Sequence, residues 1–326
     1  MKDLYPGLEL GKATRDAYGE ALRDLGRKHD DIVALDADLA KSTKSFTFAK
    51  EFPDRFLNVG IQEANMVGMA SGMASCGLVP FIHSFAAFVI LKGFDQLRMG
   101  VAYPQLNVKV VGSHGGISIG EDGASQQSVE DVALACALPG FVVCVPSDEH
   151  QMRAAVYAAY RHQGPVFIRS GRPKAPLLYH ETPRDFEFGK GVLLRDGSDL
   201  TVIANGLLVG AAMVAAEQLA SEGISTRVID MPTVKPLDEA LVQAAAEETG
   251  AIVVAEEHLR HGGLGSVVAQ AVGRLHPCPL EFVGLDDTYA ESGEPAALMR
   301  KYGLTAQDVA AAARRVLDRR ATATAI

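Results

Sequence analysis

Gly60-Ile61-Gln62-Glu63-Ala64-Asn65-Met66-Val67-Gly68-Met69-Ala70-Ser71-Gly72-Met73-Ala74-Ser75 reads as a helix from Glu63 onward. Gly68 and Gly72 lie in its interior, where each costs roughly 1 kcal/mol relative to Ala. A sequence that accepts this cost needs close backbone approach. Ala64, Gly68, Ser71, Gly72 and Ser75 form a small-residue stripe, and Met66, Met69 and Met73 an apolar one beside it. The pattern predicts a helix buried on both sides, one side by another helix or another subunit. Glu63 opens that helix. It is either a helix-start carboxylate stabilised by the macrodipole or a buried carboxyl that gives and takes one proton.

Outward from this helix the chain alternates. Ala13–His29 is amphipathic, with Ala17, Ala21, Leu22 and Leu25 on one face. The apolar runs 32–35, 79–82, 108–111, 142–145 and 166–168 suit buried parallel strands. Helical segments at 63–75, 88–102, 129–138 and 149–163 separate them. Arg172–Asp199, with Pro173, Pro176 and Pro183 and little periodicity, reads as a linker. Strands at 200–204, 226–229, 251–255 and 280–283 then alternate with helices at 210–222, 238–249, 266–275 and 306–317. The expected fold class is α/β: two α/β domains, each a mostly parallel sheet flanked by helices.

Composition narrows the function. The chain has 326 residues, a formal net charge of −9 and 48% hydrophobic residues, which exclude disorder and allow about two domains. The acidic balance, the absence of Trp and 6% aromatic residues argue against nucleic acid and anionic membranes as partners. Cys76, Cys136, Cys144 and Cys278 form no C-x-x-C pair, so no metal site is expected, and reduced thiols suit a cytoplasmic protein. The N-terminus has no apolar signal core, and the uncharged run 200–216 is divided by Asn205-Gly206.

Three further clusters stand out. Phe85 and Phe88 in His83-Ser84-Phe85-Ala86-Ala87-Phe88 share one face if this segment is a helical turn, as core or as the wall of a pocket. His114-Gly115-Gly116-Ile117-Ser118-Ile119-Gly120-Glu121-Asp122-Gly123 follows an apolar run, where α/β sheets bind ligands. The same stretch also serves as a solvated turn before the helix start at Ser128-Val129-Glu130-Asp131. Glu256-Glu257-His258 beside Gly262, Gly263 and Gly265 fits no standard metal spacing and reads as a strand-to-helix turn at an interface.

Ala13-Thr14-Arg15, Asp36-Ala37-Asp38-Leu39-Ala40 with Ser42, Gly60-Ile61-Gln62-Glu63, and His114 followed by Gly120-Glu121-Asp122-Gly123 together resemble transketolase. The resemblance covers nearly the whole chain: a pyrimidine-binding domain (1–185) and a transketolase C-terminal domain (186–326). It implies thiamine diphosphate as cofactor, with Glu63 touching its aminopyrimidine ring, Phe85 and Phe88 lining the ring pocket, and Asp38 nearby. That role needs a carboxyl able to hold a proton, which desolvation favours. It further implies that Arg15, Ser42, His114 and Arg172 bind a sugar phosphate and that Asp122 accepts from a substrate hydroxyl.

The chain departs from the family pattern in three places. Leu91 replaces a third aromatic residue of the ring pocket. Gln126 stands where transketolases usually carry His; it can hydrogen-bond a donor ketose but cannot carry a proton's charge. No Gly-Asp-Gly motif for the Mg²⁺-bound pyrophosphate is present. The resemblance therefore implies the C-terminal subunit of a split transketolase. An N-terminal partner subunit would carry that motif and hold Mg²⁺, and the two would pair as an α2β2 heterotetramer containing a homodimer of this chain. The competing readings are a 2-oxo acid dehydrogenase β subunit, a deoxyxylulose-phosphate synthase-like half, and a noncatalytic stabilising subunit.

Overall fold

The computed structural model describes residues 1–324. In chain order the first half comprises β1 (Leu10–Ala13), α1 (Thr14–Gly26), β2 (Ile32–Asp36), α2 (Ala40–Thr43), α3 (Phe46–Glu51), β3 (Phe56–Asn58), α4 (Glu63–Ser75), β4 (Val79–Phe85), α5 (Ala86–Gln96), β5 (Lys109–Ser113), α6 (Asp131–Ala137), β6 (Val142–Cys144), α7 (Glu149–Arg161), β7 (Val166–Ser170) and β8 (Lys174–Pro176). The second comprises β9 (Val192–Arg195), β10 (Leu200–Ala204), α8 (Leu207–Ala220), β11 (Thr226–Asp230), β12 (Thr233–Lys235), α9 (Glu239–Thr249), β13 (Ile252–Leu259), α10 (Leu264–Leu275), β14 (Leu280–Leu285), α11 (Pro295–Lys301) and α12 (Ala306–Thr324).

These strands build a seven-stranded sheet, β12-β6-β7-β5-β4-β2-β3, and a five-stranded sheet, β14-β13-β10-β11-β9. Each is parallel except at one edge, where β12 and β9 run antiparallel. β1 and β8 form a separate two-stranded ribbon. Strand register explains the two-sided burial. Ile32 and Ala34 of β2 face a core shared with α1 and α7, while Val33 and Leu35 face a second core shared with α4 and α5. That second core continues without a break into Ile203, Ile229 and Val254 of the other sheet.

The α/β alternation is as the sequence pattern predicts, and α4 starts and stops where its periodicity does. Two local expectations fail. The segment read as a linker contributes β8 and β9, because short edge strands need only a few paired residues. Phe85 is the last residue of β4 and the N-cap of α5, so it and Phe88 do not share a helical turn. Within this chain α4 is buried on one side only: Glu63, Met66, Val67 and Ala70 face inward, while Gly68 and Gly72 have open space where a side chain would stand. Among the described residues, no helix is long and apolar enough to cross a membrane.

Candidate active site

Parallel strands deliver their carboxyl ends to one edge, which is where open α/β sheets place ligands. Here Asp36 ends β2, Phe85 ends β4 and Ser113 ends β5, with Phe85 in register with Ser113. The next residue, His114, has φ +62, and Asp38 and Lys44 have φ +66 and +70. Among the described residues, three of the four non-glycine positions with positive φ thus stand beside this edge. Such backbone costs of order 1–3 kcal/mol each and persists where the surroundings over-determine it. The surroundings are visible at Asp36: buried, it accepts from Leu39 N (2.6 Å), Thr43 Oγ1 (2.7 Å) and Ser45 Oγ (2.9 Å) and so pins the turn holding Asp38 and Ser42. Burial raises the pKa of the Asp36 carboxyl.

A column of side chains joins two of the predicted clusters. His114 stacks on Phe85 with ring centroids 4.0 Å apart, and Phe85 stacks on Phe88 at 5.6 Å. The Lys92 ammonium lies 4.4 Å from the Phe88 ring centroid and 3.4 Å from Glu63 Oε2. Glu63 is only 3% exposed although it opens a helix. Its other partner is the Ser84 hydroxyl, which donates to Oε1 at 3.3 Å. Close packing of α4 on α5 makes this meeting possible: at Gly93 a side chain would crowd Val67 of α4.

At the other end of the column Arg15 Nη1 donates to His114 Nε2 (2.9 Å) and to the Ser42 carbonyl (3.1 Å). Nε2 therefore accepts, and the ring proton sits on Nδ1, facing Ser113 Oγ at 2.7 Å. Burial first, then the charges of Arg15, Arg172 and Lys44, push the His114 pKa down to about 3. The ring is a neutral surface among cations, suited to an anion held by its neighbours. Arg15 itself is shifted down, chiefly by burial.

The remaining predicted residues sit on the rim. Arg172 bonds the Ile119 carbonyl and Glu121 Oε2 (2.6 Å), which fastens the loop carrying Asp122. Asp122 is exposed, yet near enough to Arg15 to act on its charge. Gln126 is half-buried and accepts from Ser125 Oγ. Asp38 is exposed, accepts from Asn58 Nδ2 at 3.0 Å, and lines an open groove with Lys41, Ser42, Phe46 and Asn58. The structure thus brings Arg15, Ser42, His114 and Arg172 together, and brings Glu63, Phe85 and Phe88 together. Asp38 shares its groove with Ser42, and the printed side-chain contact of Gln126 is with Ser125.

A flat aminopyrimidine fits the Glu63 end: a buried carboxyl with one hydroxyl partner and one movable cation faces stacked apolar rings. Among the described residues, no group of three or more His, Cys, Asp or Glu side chains is placed to hold a metal ion. Glu256 and Glu257 serve structural ends. Glu256 accepts from Leu264 N and Gly265 N at the start of α10, both at 2.8 Å, and Glu257 accepts from Ser118 N at 2.6 Å across the two sheets.

Lys92, Ser84 and His83 escape sequence reasoning. Lys92 lies 29 positions from Glu63 and meets it only through the packing of α4 on α5. His83, fully buried, donates from Nδ1 to the Leu35 carbonyl (2.7 Å) and accepts from Tyr18 Oη (2.5 Å). Burial lowers its pKa to about 4. Phe88 at i and Lys92 at i+4 was the one available signal.

The pyrimidine-binding domain of transketolase matches residues 11–176, and the transketolase C-terminal domain matches residues 189–309. The 6-deoxy-6-sulfo-D-fructose transketolase subunit SqwH of Clostridium sp. strain MSTE9 is 43% identical over 94% of this chain and 95% of its own length. Human transketolase is 40% identical over 96% of this chain, which spans 51% of the human protein. A solved split-gene transketolase, an inactive β4 tetramer, superposes with a TM-score of 0.89 at 46% identity, covering 95% of this chain and all of its own. With both domains matched and relatives 40% or more identical along nearly its whole length, the chain belongs to the transketolase family.

Proposed function

We propose that this chain is the C-terminal subunit of a thiamine diphosphate-dependent transketolase. It would transfer a two-carbon ketol unit from a ketose to an aldehyde acceptor. Its division falls between residues 1–185, the pyrimidine-binding domain, and 186–326, the C-terminal domain. The observation that carries the proposal is the column from buried Glu63 through Phe88 and Phe85 to His114 and Arg15, which joins a ring site to an anion site. Thiamine diphosphate, when bound beside Glu63, Phe85 and Phe88, would supply a carbon nucleophile for the ketose carbonyl. Glu63 exchanges a proton with the aminopyrimidine at its buried carboxyl. Phe85 and Phe88 exclude water and orient the ring, and Asp38 contributes a polar contact at the cofactor's rim.

Arg15, Ser42, His114 and Arg172 hold the anionic end of the sugar, with Arg15 offering planar donors and His114 a neutral face. Asp122 accepts from a substrate hydroxyl, and Gln126 hydrogen-bonds the donor's carbonyl or first hydroxyl. A tail of phosphate or sulfonate chemistry suits this set, and the SqwH relative is named for a sulfonated ketose. An N-terminal subunit supplies the Gly-Asp-Gly motif and holds Mg²⁺, in a cytoplasmic α2β2 heterotetramer. Support comes from the relative named as a subunit and from the half-length match to human transketolase.

The test is reconstitution with an N-terminal subunit and a coupled ketol-transfer assay on phospho- and sulfo-ketoses. Glu63→Ala is expected to lower turnover by roughly 10²–10⁴-fold, the range of a lost proton-transfer group. Undiminished turnover would mean that the chain only stabilises its partner. Tight cofactor binding with turnover by this chain alone would remove the need for the partner.

A further inference from the structure

We propose that Lys92 is a positioning residue whose ammonium fills the ring's seat until the cofactor displaces it. This rests on the function proposed above. Two contacts define the seat. The ammonium lies 3.4 Å from Glu63 Oε2 and 3.5 Å from Oε1, and 4.4 Å from the Phe88 ring centroid. These are the carboxyl and the aromatic wall that the aminopyrimidine would touch. A cation between them and a ring between them compete for one volume.

The chemistry of the pair explains why a cation is there. Glu63 is buried, with one neutral hydroxyl as its only other partner among the described residues, and an uncompensated buried carboxylate is strongly destabilising. The Lys92 ammonium supplies the missing charge and has donors only. While it stays, the ammonium occupies the place beside Glu63 Oε1 and Oε2 that a ring would take. Lys92 stands four residues after Phe88 on α5, a spacing that puts the two side chains on one helix face. Its side chain is 49% exposed against 2% for Glu63. The lysine can therefore swing to solvent about its own side-chain bonds, while the carboxyl stays in place. Loading becomes an exchange: the ring takes the carboxyl and the aromatic face, and the ammonium goes to water.

The experiment is calorimetric titration of thiamine diphosphate, at saturating Mg²⁺, into the reconstituted two-chain complex. Lys92→Met removes the competitor and is expected to tighten binding about three- to ten-fold while lowering the melting temperature of the unloaded complex. Lys92→Arg, whose fork grips a carboxylate at two points, is expected to weaken binding. The affinity order Met, Lys, Arg supports the exchange. Equal or weaker binding by Lys92→Met overturns it. If Lys92→Met does not assemble, the wild-type complex with ¹³C-methylated lysines decides: the Lys92 signal must move on cofactor addition, and an unmoved signal overturns the proposal. A wild-type complex that binds no thiamine diphosphate would instead defeat the proposed function.

Discussion

The Arg15 guanidinium donates to His114 Nε2 at 2.9 Å, so a cation and a histidine face one another with the histidine uncharged. Such a pair is stable only while no proton reaches the ring, which makes it sensitive to acid. The buried His83–Tyr18 pair, at 2.5 Å, shares that sensitivity.

Acid should erode stability through both rings. Their pKa values of about 3 and about 4 lie below the 6.5 of an unfolded histidine, so protons bind the unfolded chain first. Their contribution is complete above pH 6.5 and is lost as pH falls toward the folded values. Between pH 7 and 5 each histidine costs about 2 kcal/mol. Asp230, pushed up to about 6 by burial, works in the opposite direction. The measurement is therefore a difference. Urea unfolding at the two pH values should show His114→Gln losing about 2 kcal/mol less than wild type.

Phe88→Ala should weaken thiamine diphosphate binding about ten-fold in the reconstituted complex, as expected when one stacked aromatic contact is removed. Phe88 is half-buried, so the melting temperature should fall less than for a core aromatic residue. Unchanged affinity would take Phe88 out of the ring pocket.

Gly112 sits in β5 two residues before His114. A Cβ there would stand 2.8 Å from the Phe167 ring and 2.9 Å from Ala86 Cβ. Gly112→Ala is expected to destabilise the fold by about 1–3 kcal/mol through overpacking, read as a lower midpoint in thermal unfolding. A neutral substitution would mean that the helix start at Ala86 yields freely.

Arg169 is 5% exposed and faces fully buried Asp131 at 2.9 Å, while donating to the Glu257 carbonyl (2.8 Å) and the Ser128 carbonyl (2.9 Å). Arg169→Met removes the cation that faces Asp131. The expected loss is about 3–5 kcal/mol by denaturant unfolding. Arg169→Met with Asp131→Leu should recover part of it.

Much of the scaffold was legible because burial on both faces of a parallel sheet leaves apolar runs that need no partner to be recognised. α4 and β10 fall where the residue pattern puts them. What escaped was set by distant pairing. β8 finds β1 and β9 finds β11, and neither strand carries enough residues to show a period of its own. The site divides the same way. Glu63, Phe85, Phe88, Arg15 and His114 stand out by motif, and the structure adds the stack that links them. Lys92 could not be read, because its meeting with Glu63 depends on how two helices pack. Phe85 was placed on the wrong element because three-residue spacing looks helical even when a strand ends between the two rings.

Strand β12 comes from the second half of the chain yet closes the first half's sheet, with Thr233 opposite Cys144 and Lys235 opposite Val143. Lys235 Nζ also donates to the carbonyls of Cys136 (2.9 Å) and Leu138 (2.6 Å). Trimming a gene to its first 185 codons would thus strip a border, leaving the buried apolar residues of β6 as a raw, adhesive margin open to strangers. Anyone wishing to express the ring-binding half by itself should graft a substitute for that short ribbon, or expect insoluble protein.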